Sequence, residues 1–323
     1  MRVLVTGVAG FIGFHCAGAL AEDGHEILGI DNQNDYYLPA LKQARIDHLL
    51  DRFPSIRYLR QDLTDLSGLQ EAFRSFQPEG VLHLAAQAGV RYSIDNPHAY
   101  IQSNIVATAH ILECCRHFGK PRLVYASSSS VYGGNKTLPF SEKDPVDHPI
   151  SLYAATKKSN ELMAHTYTHL YQLQTIGLRF FTVYGPWGRP DMAMWLFTDA
   201  IQKGRPIKVF NYGDMFRDFT FIDDIVKGVK GAMFSSGLSP YEIFNLGNCR
   251  CEKLEHLIEL VEARLNKKAE RLMLPMQDGD VKATFADIEK ARRQLGFEPT
   301  TTLDEGVPQF IDWFLENPRF HGS

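Results

Sequence analysis

An α/β fold is predicted for this chain of 323 residues: a doubly wound parallel sheet with a smaller C-terminal α/β lobe. Three observations carry that expectation. Short apolar runs alternate with helix-length amphipathic stretches over the first two-thirds, as βαβ units require. The first run, Val3-Leu4-Val5, passes directly into a glycine-rich turn and an apolar helix. After about Gly185 the alternation gives way to turn chemistry, Gly185-Pro186-Trp187-Gly188-Arg189-Pro190, and to shorter pieces. The length suits one large or two intimate domains.

Taken in order, strands are expected at 2–6, 26–30, 56–60, 80–84, 122–126 and 175–181, with helices at 11–23, 66–76, 100–118 and 151–171. The strands are apolar almost throughout, which suits a sheet covered on both faces. In the second part, Leu254, Leu257, Ile258, Val261 and Leu265 mark one face of a helix. Asp287 is expected to cap another that stops at Gly296, with Pro299 beyond. A last sheet strand is expected to return near 243–246. The division is therefore a cofactor domain over 1–184, rejoined by about 220–247, and a smaller discontinuous lobe within 185–323.

Composition narrows the function classes. Apolar residues make up 44% and charged residues 22% of the chain, ordinary for a globular enzyme. Thirty-four basic against 38 acidic residues give −4. With no basic run, that balance argues against a nucleic-acid or membrane-surface protein. No apolar stretch approaches the ~18 residues of a spanning helix. Met1-Arg2-Val3 enters a strand with no charged leader before it. Five cysteines without a C-x-x-C pair fit reduced thiols and the cytoplasm. His165 and His169 stand four apart, but position 166 is Thr and no third ligand is evident, so no metal is expected.

The glycine turn reads Gly7-Val8-Ala9-Gly10-Phe11-Ile12-Gly13. Glycine permits the tight turn and close approach to a pyrophosphate, and the helix start offers unpaired N–H groups to the phosphates. The next strand ends in Asp31, where a carboxylate can bond the adenosine ribose hydroxyls. A carboxylate there repels a 2′-phosphate, so NAD is favoured over NADP. Asp62-Leu63 and His83-Leu84-Ala85-Ala86, at later strand ends, fall where adenine and ribose should lie.

The chemistry is expected from Tyr153 and Lys157, which share one helical face four residues apart. A phenol is a poor base at neutral pH, and a nearby ammonium and a positive nicotinamide ring favour the phenolate. Ser127-Ser128-Ser129-Ser130 closes the preceding strand and supplies a hydroxyl for the reacting sugar group.

Together these parts resemble the extended short-chain dehydrogenase/reductase superfamily, with its Rossmann fold, over nearly the whole chain. Within it the sequence is most similar to the UDP-glucuronate 4-epimerases. Further matching segments are Asn34-Asp35-Tyr36-Tyr37, Gln87-Ala88-Gly89-Val90-Arg91, the run from Arg179-Phe180-Phe181-Thr182-Val183-Tyr184 through Gly185–Pro190 to Asp191-Met192, and Met215-Phe216-Arg217-Asp218-Phe219-Thr220. The resemblance implies that Tyr153 is the general base, that Ser128 polarises the sugar hydroxyl, and that Lys157 tunes Tyr153 and holds the nicotinamide ribose. It implies NAD contacts from Gly7, Gly10, Phe11, Ile12, Gly13, Asp31, Asn32, Asp62, Leu63, Leu84, Ala85, Ala86 and Asn104. The implied reaction is redox-neutral epimerisation at C4 through a 4-keto sugar, with NAD recycled and held tightly.

For the substrate, Ser129 and Ser130 stand where related dehydratases carry Asp-Glu, which leaves simple epimerisation. These hydroxyls, with Thr182 opposite, can donate to a sugar carboxylate. Arg189 and Arg217 are candidates for the UDP phosphates, Phe210 for stacking on uracil and Asp280 for the uridine ribose. Arg91 is expected at the phosphates or the carboxylate. The resemblance also implies a homodimer through a four-helix bundle of 100–118 and 151–171, with Cys114, Cys115 and His165 at the interface. Rival readings are a UDP-glucose/UDP-galactose 4-epimerase, C5 epimerisation of the uronate, a net oxidoreductase and a non-catalytic NAD-binding sensor.

Overall fold

The computed structural model describes residues 1–277 and 279–321. The chain begins β1 (Arg2–Thr6), α1 (Phe11–Glu22), β2 (Glu26–Asp31), α2 (Pro39–Arg52), β3 (Ile56–Arg60), α3 (Leu66–Phe76) and β4 (Gly80–His83). Two short helices follow, α4 (Tyr92–Asp95) and α5 (Pro97–Tyr100), then a π-helical turn (Ile101–Val106) and α6 (Ala107–His117). Next come β5 (Arg122–Ser128), α7 (Leu152–Tyr171), β6 (Thr175–Phe180) and β7 (Thr182–Tyr184). The remainder holds α8 (Ala193–Gln202), β8 (Ile207–Val209), β9 (Phe216–Arg217), β10 (Phe219–Phe221), α9 (Ile222–Phe234) and β11 (Tyr241–Leu246). It ends with β12 (Glu252–Lys253), α10 (Leu254–Leu265), β13 (Arg271–Met273), α11 (Glu289–Leu295) and α12 (Leu303–Glu316).

Seven strands form one sheet in the order β11-β6-β5-β4-β1-β2-β3, every pair parallel. Chain order reverses between β1 and β4, whose register sets Thr6 beside His83. The crevice beyond the carboxyl ends of two such strands is where this topology binds ligands. Apolar cores fill both faces, one beneath α1, α2 and α9 and the other beneath α3, α6 and α7. The first core runs without a break into the second lobe through Trp195, Phe310 and Phe314.

The expected parallel sheet is present, and the returning strand is β11, paired along its whole length with β6. Asp287 lies one position before the N-cap Ile288, and its Oδ1 accepts the Glu289 N–H at 3.0 Å. Gly296 ends the same helix in the left-handed region at φ 66°. Besides the one-turn α4, four longer helices escape the periodicity reading: α2, α8, α9 and α12. The expected helix 100–118 is present, running without a break from Pro97 to His117 with residues 101–106 wound as a π turn. Cys114 and Cys115 are not interface residues: at 1% and 0% exposure they belong to the core beneath α6. Helical geometry turns them toward the sheet, while His165 is exposed on α7. Among the described residues no helix is long and apolar enough to cross a membrane, and no group of three His, Cys, Asp or Glu side chains converges as a metal site.

Candidate active site

The cleft opens where β1 and β4 end. Gly7 turns the chain at φ +73°, and a Cβ on it would lie 2.6 Å from the Ala85 nitrogen. A Cβ on Gly13 would sit 2.1 Å from the Gly7 carbonyl, so only glycine allows α1 to pack this closely on the turn. No side chain caps α1 at Gly10, which leaves its first-turn N–H groups available to an anion.

Asp31 ends β2 with Oδ2 accepting the Ala9 N–H at 3.1 Å and Oδ1 accepting the Gln33 N–H at 2.7 Å. Burial raises its pKa, against those hydrogen bonds and the charges of Lys42 and Arg45. Beside it the Asn32 amide donates to Asp62 at 2.7 Å. Partial burial works against the Asp62 charge, but hydrogen bonds from Thr64 and Asn32 hold its pKa below the usual range. Gly7, Gly10, Phe11, Ile12, Gly13, Asp31, Asn32, Asp62, Leu63, Leu84, Ala85 and Ala86 all line this cleft. Its glycine turn, uncapped helix and carboxylate fit a dinucleotide.

At the other end stand Ser128, Tyr153, Lys157 and Arg189. Ser128 is the last residue of β5 and caps a short 3-10 turn. Its Oγ accepts the Ser130 N–H at 3.2 Å and the Ser130 hydroxyl at 3.0 Å, which leaves its own proton free to donate. Ser151 caps α7 by accepting the Ala154 N–H at 3.1 Å, so Tyr153 falls in the first turn and Lys157 one turn later. Lys157 Nζ donates to the Ala126 carbonyl at 2.9 Å, and burial lowers its pKa to about 8. Burial raises the Tyr153 phenol, while its hydrogen bond with Ser128 and the charge of Arg189 pull it back. Arg189, which the sequence reading set against the phosphates, thus also brings positive charge toward Tyr153. Arg189 Nε donates to Asp191 Oδ1 at 3.0 Å, and Tyr36 Oη donates to Asp191 Oδ2 at 3.1 Å.

Asn104, in the π turn, lies behind the cleft. Its Oδ1 accepts the Gln87 N–H at 2.8 Å, and its Nδ2 donates to the Gln87 carbonyl and Thr156 Oγ1, both at 3.0 Å. It therefore braces the β4 loop against the catalytic helix. His83 is held neutral, its pKa lowered to about 3 by burial and the Lys157 charge. Its ring bridges Thr6 Oγ1 at 2.8 Å and Thr108 Oγ1 at 3.1 Å.

The remaining candidates lie outside this lining. Arg217 and Asp280 form an ion pair at 2.7 Å, and the Arg91 guanidinium lies 5.2 Å from the centre of the Phe210 ring. Thr182 opens β7, and Ser129 and Ser130 lie in the 3-10 turn. The sequence reading missed Lys42, Gln61 and Ser103, and it assigned no role to Tyr36, Tyr37 or Met192, which stand in matching segments; all six line the cleft. Tyr36 and Tyr37 stood in a matching segment and were legible there. Lys42 sits on a helix that periodicity does not reveal.

A family model described as GDP-mannose 4,6 dehydratase matches residues 4–310. The chain is 47% identical to UDP-glucuronate 4-epimerase 4 of Arabidopsis thaliana over 98% of its own length and 75% of that protein. A crystal structure of UDP-glucuronic acid 4-epimerase from Bacillus cereus, in complex with UDP-glucuronic acid and NAD, is similar at TM-score 0.90 and 33% identity. The match covers 98% of this chain and 99% of that one. UDP-glucose 4-epimerase of Thermotoga maritima, with UDP-glucose, is similar at TM-score 0.89 and 29% identity, over 98% and 100%. Matched from end to end in sequence and in fold, the chain belongs to the extended short-chain dehydrogenase/reductases, in the family described as GDP-mannose 4,6 dehydratase.

Proposed function

We propose that this chain is an NAD-dependent UDP-sugar 4-epimerase that interconverts UDP-glucuronate and UDP-galacturonate. One observation carries the reading. Ser128, Tyr153 and Lys157 meet at one end of a dinucleotide-shaped cleft whose other end is the glycine turn and Asp31. The family model is named for a dehydratase, yet positions 129 and 130 are serines. Neither can supply the acid or base that elimination needs.

Gly7, Gly10 and the start of α1 would hold the pyrophosphate, Asp31 the adenosine ribose, and Lys157 the nicotinamide ribose. Ser128 turns its proton from the Tyr153 oxygen to the sugar O4 and fixes it beside Tyr153. Tyr153 takes the O4 proton as the 4-keto sugar forms and returns it once the sugar has turned over. When bound, NAD would supply the acceptor, and then the donor, of the C4 hydride. Arg189 and a positive ring at the reacting carbon together offset the burial that raises the Tyr153 phenol. Ser129, Ser130 and Thr182 donate to the sugar carboxylate. Arg217, Asp280, Phe210 and Arg91 receive the UDP half, where the Arg217 fork suits a diphosphate.

The catalytic unit is read as residues 1–184 with 220–247, and the rest as the nucleotide-sugar lobe. Leu162 and Leu170 are exposed on α7, and Ile101 is exposed at the head of the π turn. They supply the apolar face for a homodimer through a four-helix bundle. All five cysteines are free thiols, which agrees with a cytoplasmic protein.

Proton NMR with UDP-glucuronate and, in parallel, UDP-glucose, without added NAD, tests the reading. Conversion of UDP-glucuronate supports it. Conversion of UDP-glucose alone moves the assignment to the neutral sugar, a reading favoured by the likeness to the Thermotoga maritima enzyme. No conversion of either, with NAD added, overturns both.

A further inference from the structure

Three consecutive carbonyls of the loop that carries Arg189 are bound from the cofactor side of the cleft. His15, on α1, meets the Pro186 carbonyl with Nε2 at 2.9 Å. The Arg45 Nη2, on α2, donates to the Trp187 carbonyl at 2.5 Å and to the Gly188 carbonyl at 3.0 Å. Its Nη1 donates to the Ala9 carbonyl and to Tyr37 Oη, both at 2.8 Å. Ala9 lies inside the glycine turn, and its own N–H is already held by Asp31. One guanidinium therefore grips the cofactor turn with one nitrogen and the substrate-side loop with the other.

The arrangement is costly as mere packing. Arg45 is fully buried, its four acceptors are all neutral, and its Nε has no partner. A buried guanidinium whose bonded partners are all neutral is disfavoured even with the Asp31 charge acting on it from nearby, and an apolar side chain would fill the same space at lower cost. Trp187 adds a second constraint. It sits at φ +61°, a region a bulky residue rarely adopts, while its ring packs against Phe14, His48 and Trp313. The bonds to its carbonyl and to the next one hold that conformation. Two residues after Trp187 comes Arg189, whose charge acts on Tyr153. Burial keeps His15 neutral, its pKa lowered to about 4, so Nε2 can donate to the Pro186 carbonyl.

We propose that Arg45, assisted by His15, is a positioning residue that couples the cofactor turn to the Arg189 loop. The substrate wall takes its working position only on a seated cofactor turn, and by linkage a bound sugar nucleotide tightens the hold on NAD. The inference rests on the proposed NAD and UDP-sugar chemistry. Such coupling matters in a reaction whose oxidised sugar must stay with the cofactor until it is reduced again. Arg45 touches neither reactant.

The test is Arg45→Lys beside His15→Gln. A lysine keeps the charge but has no fork, so it cannot hold Ala9 and the 187–188 carbonyls at once. Three quantities are read on folded protein: NAD retained through purification, the affinity of stripped protein for NAD and for UDP by calorimetry, and the KM-against-kcat split at saturating NAD. Arg45→Lys is expected to weaken NAD binding about tenfold and to raise KM for UDP-glucuronate by a similar factor. It should also abolish the mutual tightening of NAD and UDP seen in the parent. His15→Gln is expected to raise KM severalfold and to leave retained NAD unchanged. A parent without NAD–UDP coupling, or an Arg45→Lys protein that melts lower yet keeps its NAD affinity and KM, overturns the proposal. An unchanged KM in His15→Gln overturns the part given to His15. Should the parent bind NAD and UDP but leave UDP-glucuronate untouched, the sugar assignment fails, and the calorimetric comparison still decides the coupling.

Discussion

Lys157→Met should make the protein more stable and nearly inactive at once. The lysine is 3% exposed, and its ammonium meets one carbonyl, that of Ala126. The drop of its pKa from 10.5 to about 8 corresponds to roughly 3 kcal/mol held against the charged form. Losing the bond to Ala126 gives back about 1 kcal/mol, so the methionine variant gains about 2 kcal/mol. For a chain of 323 residues that raises the melting temperature by about 3 °C. The comparison is made on cofactor-stripped protein, so that lost NAD binding does not enter. Below pH 8 the folded parent keeps a buried charge, and the variant leads by the full amount. From pH 8 to 10.5 the folded lysine is neutral while the unfolded one still binds its proton. The parent's stability therefore rises with pH and the variant's lead shrinks. Epimerisation followed by NMR should fall by a factor of about 100 or more. A variant that melts below the parent at pH 7, or a lead that does not change between pH 8 and 10, refutes the reasoning.

Tyr153→Phe should lower kcat by a factor of about 100 to 10,000 with KM little changed, measured by steady-state NMR assay. Glu161→Ala should cost about 3–5 kcal/mol and lower the melting temperature by about 6 °C. It strands the Arg179 guanidinium, 3% exposed like its partner, with only Tyr132 Oη, and it frees Ser127 Oγ. Glu at both 162 and 170 in place of leucine should halve the mass seen by light scattering and leave the circular dichroism unchanged.

The strands of the seven-stranded sheet were legible because a sheet covered on both faces demands apolar runs, whereas β7–β10, β12 and β13, two or three residues each, are too short to show a period. The glycine turn, Asp31, Ser128, Tyr153 and Lys157 were legible because each stands at a fixed offset from a strand end. Among the helices that were not, α2, α9 and α12 each hide their period differently. The buried face of α2 carries Lys42 and Arg45 among Leu41, Ile46 and Leu49, so the polar residues that serve the cleft erase the apolar stripe. In α9, Gly228 and Gly231 read as breakers, but a Cβ at either would collide with Phe297 or with the Leu295 carbonyl. Pro308 lies inside α12, whose start is set by a capping box between Thr302 and Glu305. The π turn has no one-dimensional signal, since it is fixed by the bonds Asn104 makes with Gln87 and Thr156, elements far away in the chain. Arg189 was found as a site residue but set against the phosphates, because its charge reaches Tyr153 only through the tertiary fold.

The last strand to join the sheet pairs with β6, whose six residues are all buried. During synthesis, a nascent chain that has emerged as far as Tyr184 has every other strand of that sheet but still lacks this one. The flank of β6 then offers a row of unpaired amides and carbonyls to any passing chain until Tyr241–Leu246 arrives. At ~5–20 residues per second that wait is on the order of several seconds. An open, apolar, flat edge is the template on which chains aggregate. Production yield should therefore depend on how fast the stretch between β7 and β11 is translated. A fragment ending at Tyr184 would carry that edge permanently.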